Sequence, residues 1–190
     1  MAAPLSSATP MILDPTGLTA PDVTITWNEV VLRQASPITN EYAAFGIAFA
    51  PNTVFYNTQP GFFPTDPHAA NFDFADHQSV LTSMFFTGPV IAAAFNFITN
   101  PGTTMFTALL SNSLIETFNA ATDLSGTTLT HFYGFNGIIF DEIQFLAPGN
   151  NAFEIDNVQI QRAAVPEPAT LMLFGAGLIG LGFTRRRRRA

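Results

Sequence analysis

The amino-acid sequence predicts an all-β protein, an antiparallel jelly-roll-like β-sandwich followed by a short C-terminal transmembrane helix. Three observations predict it. Short runs rich in β-branched and aromatic residues recur from Val23 to Gln161, each bounded by Gly, Pro, Asn or Asp. No amphipathic helical pattern of ten or more residues separates them, which disfavours alternating βα units. Beyond residue 170 the chain becomes an uncharged apolar run followed by five arginines, the pattern of a membrane segment with its stop signal.

The elements follow in order. Residues 1–20 contain no Lys or Arg and only short apolar runs, so an unstructured N-terminal segment is expected. This stretch has neither the basic n-region nor the apolar h-region of a secretory signal. An export signal is therefore expected before Met1, or already cut away near Ala2-Ala3-Pro4. The sandwich domain is expected over 21–163. Val23, Ile25 and Trp27 alternate with Thr24, Thr26 and Asn28, the period of a half-buried strand. Further strands are predicted at 45–49, 53–56, 90–97, 104–110, 114–118, 127–133, 138–145 and 152–161. The run Val90 to Phe97 also suits a buried helix, but its length and the flanking Gly88-Pro89 and Asn100-Pro101 favour a strand. Turns are predicted at Asn100-Pro101-Gly102, Ser125-Gly126, Asn136-Gly137 and Pro148-Gly149-Asn150-Asn151.

Composition excludes several functions. The chain has 190 residues and a formal charge of −7, yet no lysine. Residues 1–165 hold two arginines, Arg33 and Arg162, against thirteen carboxylates, a net of −11. A body this acidic repels phosphate backbones, so it is not a nucleic-acid binder. Hydrophobic residues at 47% and twenty phenylalanines exclude a disordered chain. The lack of cysteine excludes disulfide staples, thiol catalysis and thiolate metal sites.

Residues 164–190 have three physical parts. Val165 to Thr170 contains Pro166-Glu167-Pro168, stiff and non-helical because each proline fixes φ and restricts the residue before it. The apolar run from Leu171 to Phe183 rises about 20 Å as a helix, against a hydrocarbon core of roughly 30 Å. Adding Thr184 and the snorkelling stems of the arginines brings 171–184 closer to spanning. Arg185, Arg186, Arg187, Arg188 and Arg189 form the stop signal and stay on the cytoplasmic side. Gly175, Gly177 and Gly180 fit G-x-G-x-x-G, but no strand precedes them and no acidic residue follows, so no dinucleotide site is expected.

This tail resembles the PEP-CTERM sorting signal of bacterial exported proteins over Val165 to Arg189. The resemblance implies that an exosortase, a membrane processing enzyme, recognises Pro166, Glu167 and Pro168 as substrate residues. The helix is then a transient inner-membrane anchor, and the body passes to the cell surface or extracellular matrix. Two body segments resemble jelly-roll domains that precede such tails: Ile38 to Phe49, and the closing pair Gly137 to Phe145 with Phe153 to Ile160. Related sandwiches include carbohydrate-binding modules, some with a structural Ca²⁺.

Within the body, Phe153 and Ile155 share one parity while Val158 and Ile160 share the other. A bulge at Asp156-Asn157 would keep all four in the core. The polar pair would then bond local backbone. The alternative makes Asp156, with Glu154, Glu41 or Asp141, a set of oxygen ligands for Ca²⁺. Thr65 to His77 gathers Asp66, His68, Asp73, Asp76 and His77, donors for a transition metal or, more simply, a solvated loop with capping aspartates. His131 reads as a packed or half-exposed strand residue. Asp141 and Glu142 are adjacent on a strand, which does not pair them as acid and base. No G-x-S-x-G elbow is present. The aromatics Phe55, Tyr56, Phe62, Phe63, Phe72 and Phe74 suggest a sugar platform, but platforms favour Trp and Tyr, and this chain is rich in Phe. The expectation is a non-enzymatic exported protein without a required cofactor, displayed at the surface and in contact with extracellular polysaccharide. A carbohydrate-binding module with Ca²⁺ is the alternative.

Overall fold

The computed structural model describes residues 9–58, 67–71, 81–124, 131–147 and 152–163. Ten strands run through them: β1 (Thr9–Asp14), β2 (Val23–Ile25), β3 (Ile47–Phe49), β4 (Phe55–Asn57), β5 (His68–Ala70), β6 (Thr82–Thr99), β7 (Gly102–Leu110), β8 (Ser113–Thr122), β9 (Phe132–Leu146) and β10 (Phe153–Arg162). Every pairing is antiparallel. The main path is β4-β5-β10-β6-β9-β7-β8, with β1 added to β9, β2 to β10 and β3 to β6. The all-β antiparallel class predicted from the sequence is therefore observed.

Two long strands organise the sheet. β6 has 18 residues and β9 has 15. The Thr82–Phe85 stretch of β6 pairs with Glu142–Phe145, whereas its Ala92–Asn96 stretch pairs with Phe132–Asn136. Between them the register jumps at Phe85/Val90 and again at Val90/Ala92. Extra residues on one strand bend a sheet and raise its twist. Gly137, at a φ of 83° that L side chains rarely adopt, lies in this bend. Pro89 is tolerated inside β6 because a bulge has no ladder bond for it to remove.

The bend brings the β7–β8 side of the sheet over the first half of β9, and aromatic rings fill the space. Phe106 of β7 stacks on Tyr133 of β9 at 5.4 Å, and Phe118 of β8 meets Phe135 at 5.0 Å. Phe97 lies centrally, with Phe106, Phe145 and Phe153 at 5.4 to 5.7 Å. A smaller cluster of Met11, Leu18, Ala92, Ala94 and Phe132 packs separately. The result is a sandwich-like body whose described phenylalanines are mostly core, as aromatic burial favours.

Several elements differ from expectation. Thr9–Asp14, within the segment expected to be unstructured, forms β1 on the edge of β9. Asn136-Gly137 is not a turn between strands but part of a continuous β9. Gly88-Pro89 lies within β6, which starts eight residues before the predicted Val90–Phe97 strand and ends two residues after it. β2 ends at Ile25 because Trp27 takes a φ of 64°, although its ring stays fully buried. The predicted strand at 45–49 begins only at Ile47, after a 3-10 turn over Ala43–Phe45 that ends on Gly46 at φ 115°. The predicted membrane helix lies outside the described residues, among which no helix is long and apolar enough to cross a membrane.

Candidate functional site

The body's polar groups are placed by strand ends and bulges. In β10 the register steps from Asp156↔Asn96 to Gln159↔Ala94, so three β10 intervals face two on β6. Asn157 sits at the step with φ 47°, a conformation asparagine tolerates better than most residues. Phe153, Ile155, Val158 and Ile160 are all buried, as the change of parity requires. Asp156 is itself buried, and its Oδ1 accepts the Asn157 N–H at 2.7 Å. The Asn157 Nδ2 donates to Asn96 Oδ1 at 3.1 Å, and Asn96 Nδ2 donates to the His131 carbonyl at 3.2 Å. Asp156 thus bonds local backbone as expected, whereas Asn157 ties the bulge to the Asn96 side chain of β6.

The other carboxylates considered for Ca²⁺ serve other places. Glu41 accepts the backbone N–H and hydroxyl of Thr39 beside the 3-10 turn. Burial acts to raise its pKa, but the Thr39 N–H and further backbone donors outweigh that and hold it below the usual range. Both oxygens of Asp141 accept the Ser111 N–H at 3.0 Å. That bond pins the β7–β8 turn, where Ser111 and Asn112 both have positive φ. Glu154 is buried in β10 with its Oε2 3.5 Å from His68 Nε2. Among the described residues no group of three or more His, Cys, Asp or Glu side chains is placed to hold a metal ion.

Of the Thr65–His77 donors, His68 is on β5 and fully buried; Asp66, Asp73, Asp76 and His77 lie outside the described residues. Its neighbour Glu154 is 86 positions away, joined to it by the β5–β10 pairing, and no local spacing signals that contact. Among the aromatics, Tyr56 is buried and Phe55 half-buried, and burial raises the Tyr56 pKa. Phe62, Phe63, Phe72 and Phe74 lie outside the described residues. His131 is half-buried, as expected, but it lies just before β9 rather than on a strand. Glu142, missed as a buried group, accepts the Gln144 Nε2 at 2.8 Å.

β10 carries the chain to Ala163, and the segment with Pro166, Glu167, Pro168 and Arg185 to Arg189 follows outside the described residues. Residues 164–189 match the family model of the PEP-CTERM protein-sorting motif. The chain carries a PEP-CTERM sorting motif. This motif indicates a protein that exosortase, a membrane enzyme, processes and sorts to the cell surface. No curated protein and no solved structure gives a significant match to the chain.

Proposed function

We propose that the chain is an exosortase substrate whose jelly-roll-like body is a non-enzymatic display domain. In this reading it is anchored transiently in the inner membrane by 171–184 and then released to the cell surface or extracellular polysaccharide. The observation that carries it is the sorting motif over 164–189, with Pro-Glu-Pro, apolar run and arginine block in that order. The arginine block supplies the charge asymmetry that orients a membrane segment. Pro166 and Pro168 restrict the residues before them away from helix, which favours the extended form in which a processing enzyme can read a peptide backbone. The display role is supported by the use of the body's polar groups. Asp141, Glu41 and Asp156 accept backbone N–H groups at turns and at the bulge, Asn157 donates to the Asn96 side chain, and the aromatic rings that are described pack mainly on one another. The display reading assigns no cofactor to the body.

The test is cellular. Replacing Glu167→Gln, or deleting the five arginines, should leave the body folded while the product accumulates unprocessed. The mass of the mature wild-type protein should lack everything beyond the region of Glu167. Normal processing and normal delivery of both variants would reject the assignment. Glycan binding by the mature protein that disappears with EDTA would favour the Ca²⁺-dependent carbohydrate-binding alternative.

A further inference from the structure

A shallow cleft of about 170 Å³ opens where β3, β6 and β10 meet. It lies at the β6 bulge, where Thr87, Gly88 and Pro89 have no partner on β9 while the Thr87 N–H donates to the Gly46 carbonyl at 3.0 Å. Its floor is apolar, from the buried side chains of Val90 and Ile160. Its wall carries a cation, Arg162. A Cβ built on Gly46 would lie 3.6 Å from Arg162 Nη2, so the guanidinium covers that glycine. The Arg162 backbone N–H is held by Asp22 at 2.7 Å, whereas among the described residues no carboxylate lies within 4.0 Å of its guanidinium. Space remains on the opposite rim, where a Cβ on Gly88 would meet nothing within 4 Å.

An apolar floor beside one cation suits a carboxylate carried on a small apolar stretch. The surrounding body, at −11, repels anions that must diffuse in. For a tethered carboxylate, covalent linkage supplies a high effective concentration that offsets this repulsion. β10 delivers the chain into the cleft itself. Ala163 is one of its lining residues, with its N–H donating to the Pro89 carbonyl at 3.1 Å. Glu167 is four residues further on, within roughly 14 Å of extended chain. The residues just before it, Val165 and Pro166, are apolar.

We propose that this cleft is the docking site for the chain's own 164–168 segment, with Glu167 on the Arg162 guanidinium and Val165-Pro166 over Val90 and Ile160. One exposed ion pair is weak, so the docking is reversible. A membrane enzyme competes for the motif instead of meeting it already free. That consequence rests on the sorting reading above, but the docking does not.

The chain has no cysteine, so an introduced pair reports alone. In the full chain in detergent micelles, Gly88→Cys with Val165→Cys should close an intramolecular disulfide at least tenfold faster than a control pairing Val165→Cys with Thr103→Cys, an exposed site on β7. Adding Arg162→Glu should slow closure about tenfold. Should Gly88→Cys fail to fold, the exposed Thr87 takes the cysteine instead. Equal rates for the two pairs, or no response to Arg162→Glu, would overturn the proposal. Predominantly intermolecular disulfides would overturn it too, assigning the cleft to a second copy. The assay contains no processing enzyme, so its failure leaves the sorting reading intact, and a sorting failure leaves the docking intact.

Discussion

Phe97 tests whether the bent sheet closes on itself as described. Its ring is 1% exposed and has Phe153 and Phe106 at 5.4 Å, Phe145 at 5.7 Å, Phe95 at 6.3 Å and Tyr133 at 6.4 Å. These partners come from β6, β7, β9 and β10, so the residue joins the two sides of the sandwich. Truncating a buried Phe to Ala costs about 3–5 kcal/mol, and this many ring neighbours place Phe97→Ala in the upper half of that range. Total stabilities run roughly 5–15 kcal/mol, so the milder Phe97→Leu, at about 1–1.5 kcal/mol, is the measurable variant. Trp27 is the single tryptophan and is fully buried, so its fluorescence reports urea unfolding of the chain in micelles. A double-mutant cycle between Phe97→Leu and Phe106→Leu should show coupling of at least about 0.5 kcal/mol. Combining Phe97→Leu with Met11→Ala, in the separate cluster, should give additive losses. Additivity in the first cycle with coupling in the second would refute the packing of β7 over β6 and β9.

Three further predictions concern backbone and pH. A Cβ on Gly134 would fall 2.0 Å from the Ala93 carbonyl oxygen, so Gly134→Ala must force β9 from β6; it should destabilise by more than about 3 kcal/mol or abolish soluble yield, whereas Gly88→Ala should stay within about 0.5 kcal/mol in the same urea titration. Asn157→Gly should leave the unfolding free energy from urea titration within about 1 kcal/mol, losing one side-chain bond but relieving the backbone; Asn157→Val, branched at a φ of 47°, should lose about 1–3 kcal/mol. Burial raises the Tyr133 pKa to about 12, with the Asp123 charge adding to it, and burial raises the Tyr42 pKa as well. The folded phenols therefore stay neutral where the unfolded chain ionises. Their contribution is complete below pH 10 and is lost as pH rises toward 12, by on the order of 2 kcal/mol for Tyr133. Tyr133→Phe should remove that part of the alkaline slope in a pH series of urea midpoints, and an unchanged slope would sink the assignment.

Legibility in the sequence followed the range of the interaction. The bulge at Asp156-Asn157 could be read because it reverses the parity of buried positions within one strand, and parity is a local property. The strands at 104–110, 114–118 and 152–161 were readable from their own β-branched and aromatic residues, which are local too. Gly88-Pro89 and Asn136-Gly137 were misread because they carry the composition of turns; whether such a pair ends a strand or bends it depends on the strand alongside. β1 went unseen since Thr9–Asp14 has no alternation of its own and is ordered by the edge of β9. The sorting motif was legible, being recognised as linear sequence.

The sequence alone therefore determined the β class, the acidic body, the parity break in β10 and the order of the tail's three parts. Each depends on composition or on residues a few positions apart. Only the tertiary structure decided that β6 and β9 run through their breaks as bent strands, that His68 meets Glu154, and that Arg162 stands beside a cleft at the exit of β10. Those facts require residues tens of positions apart to share one register, and register is settled when the whole hydrophobic face is buried together.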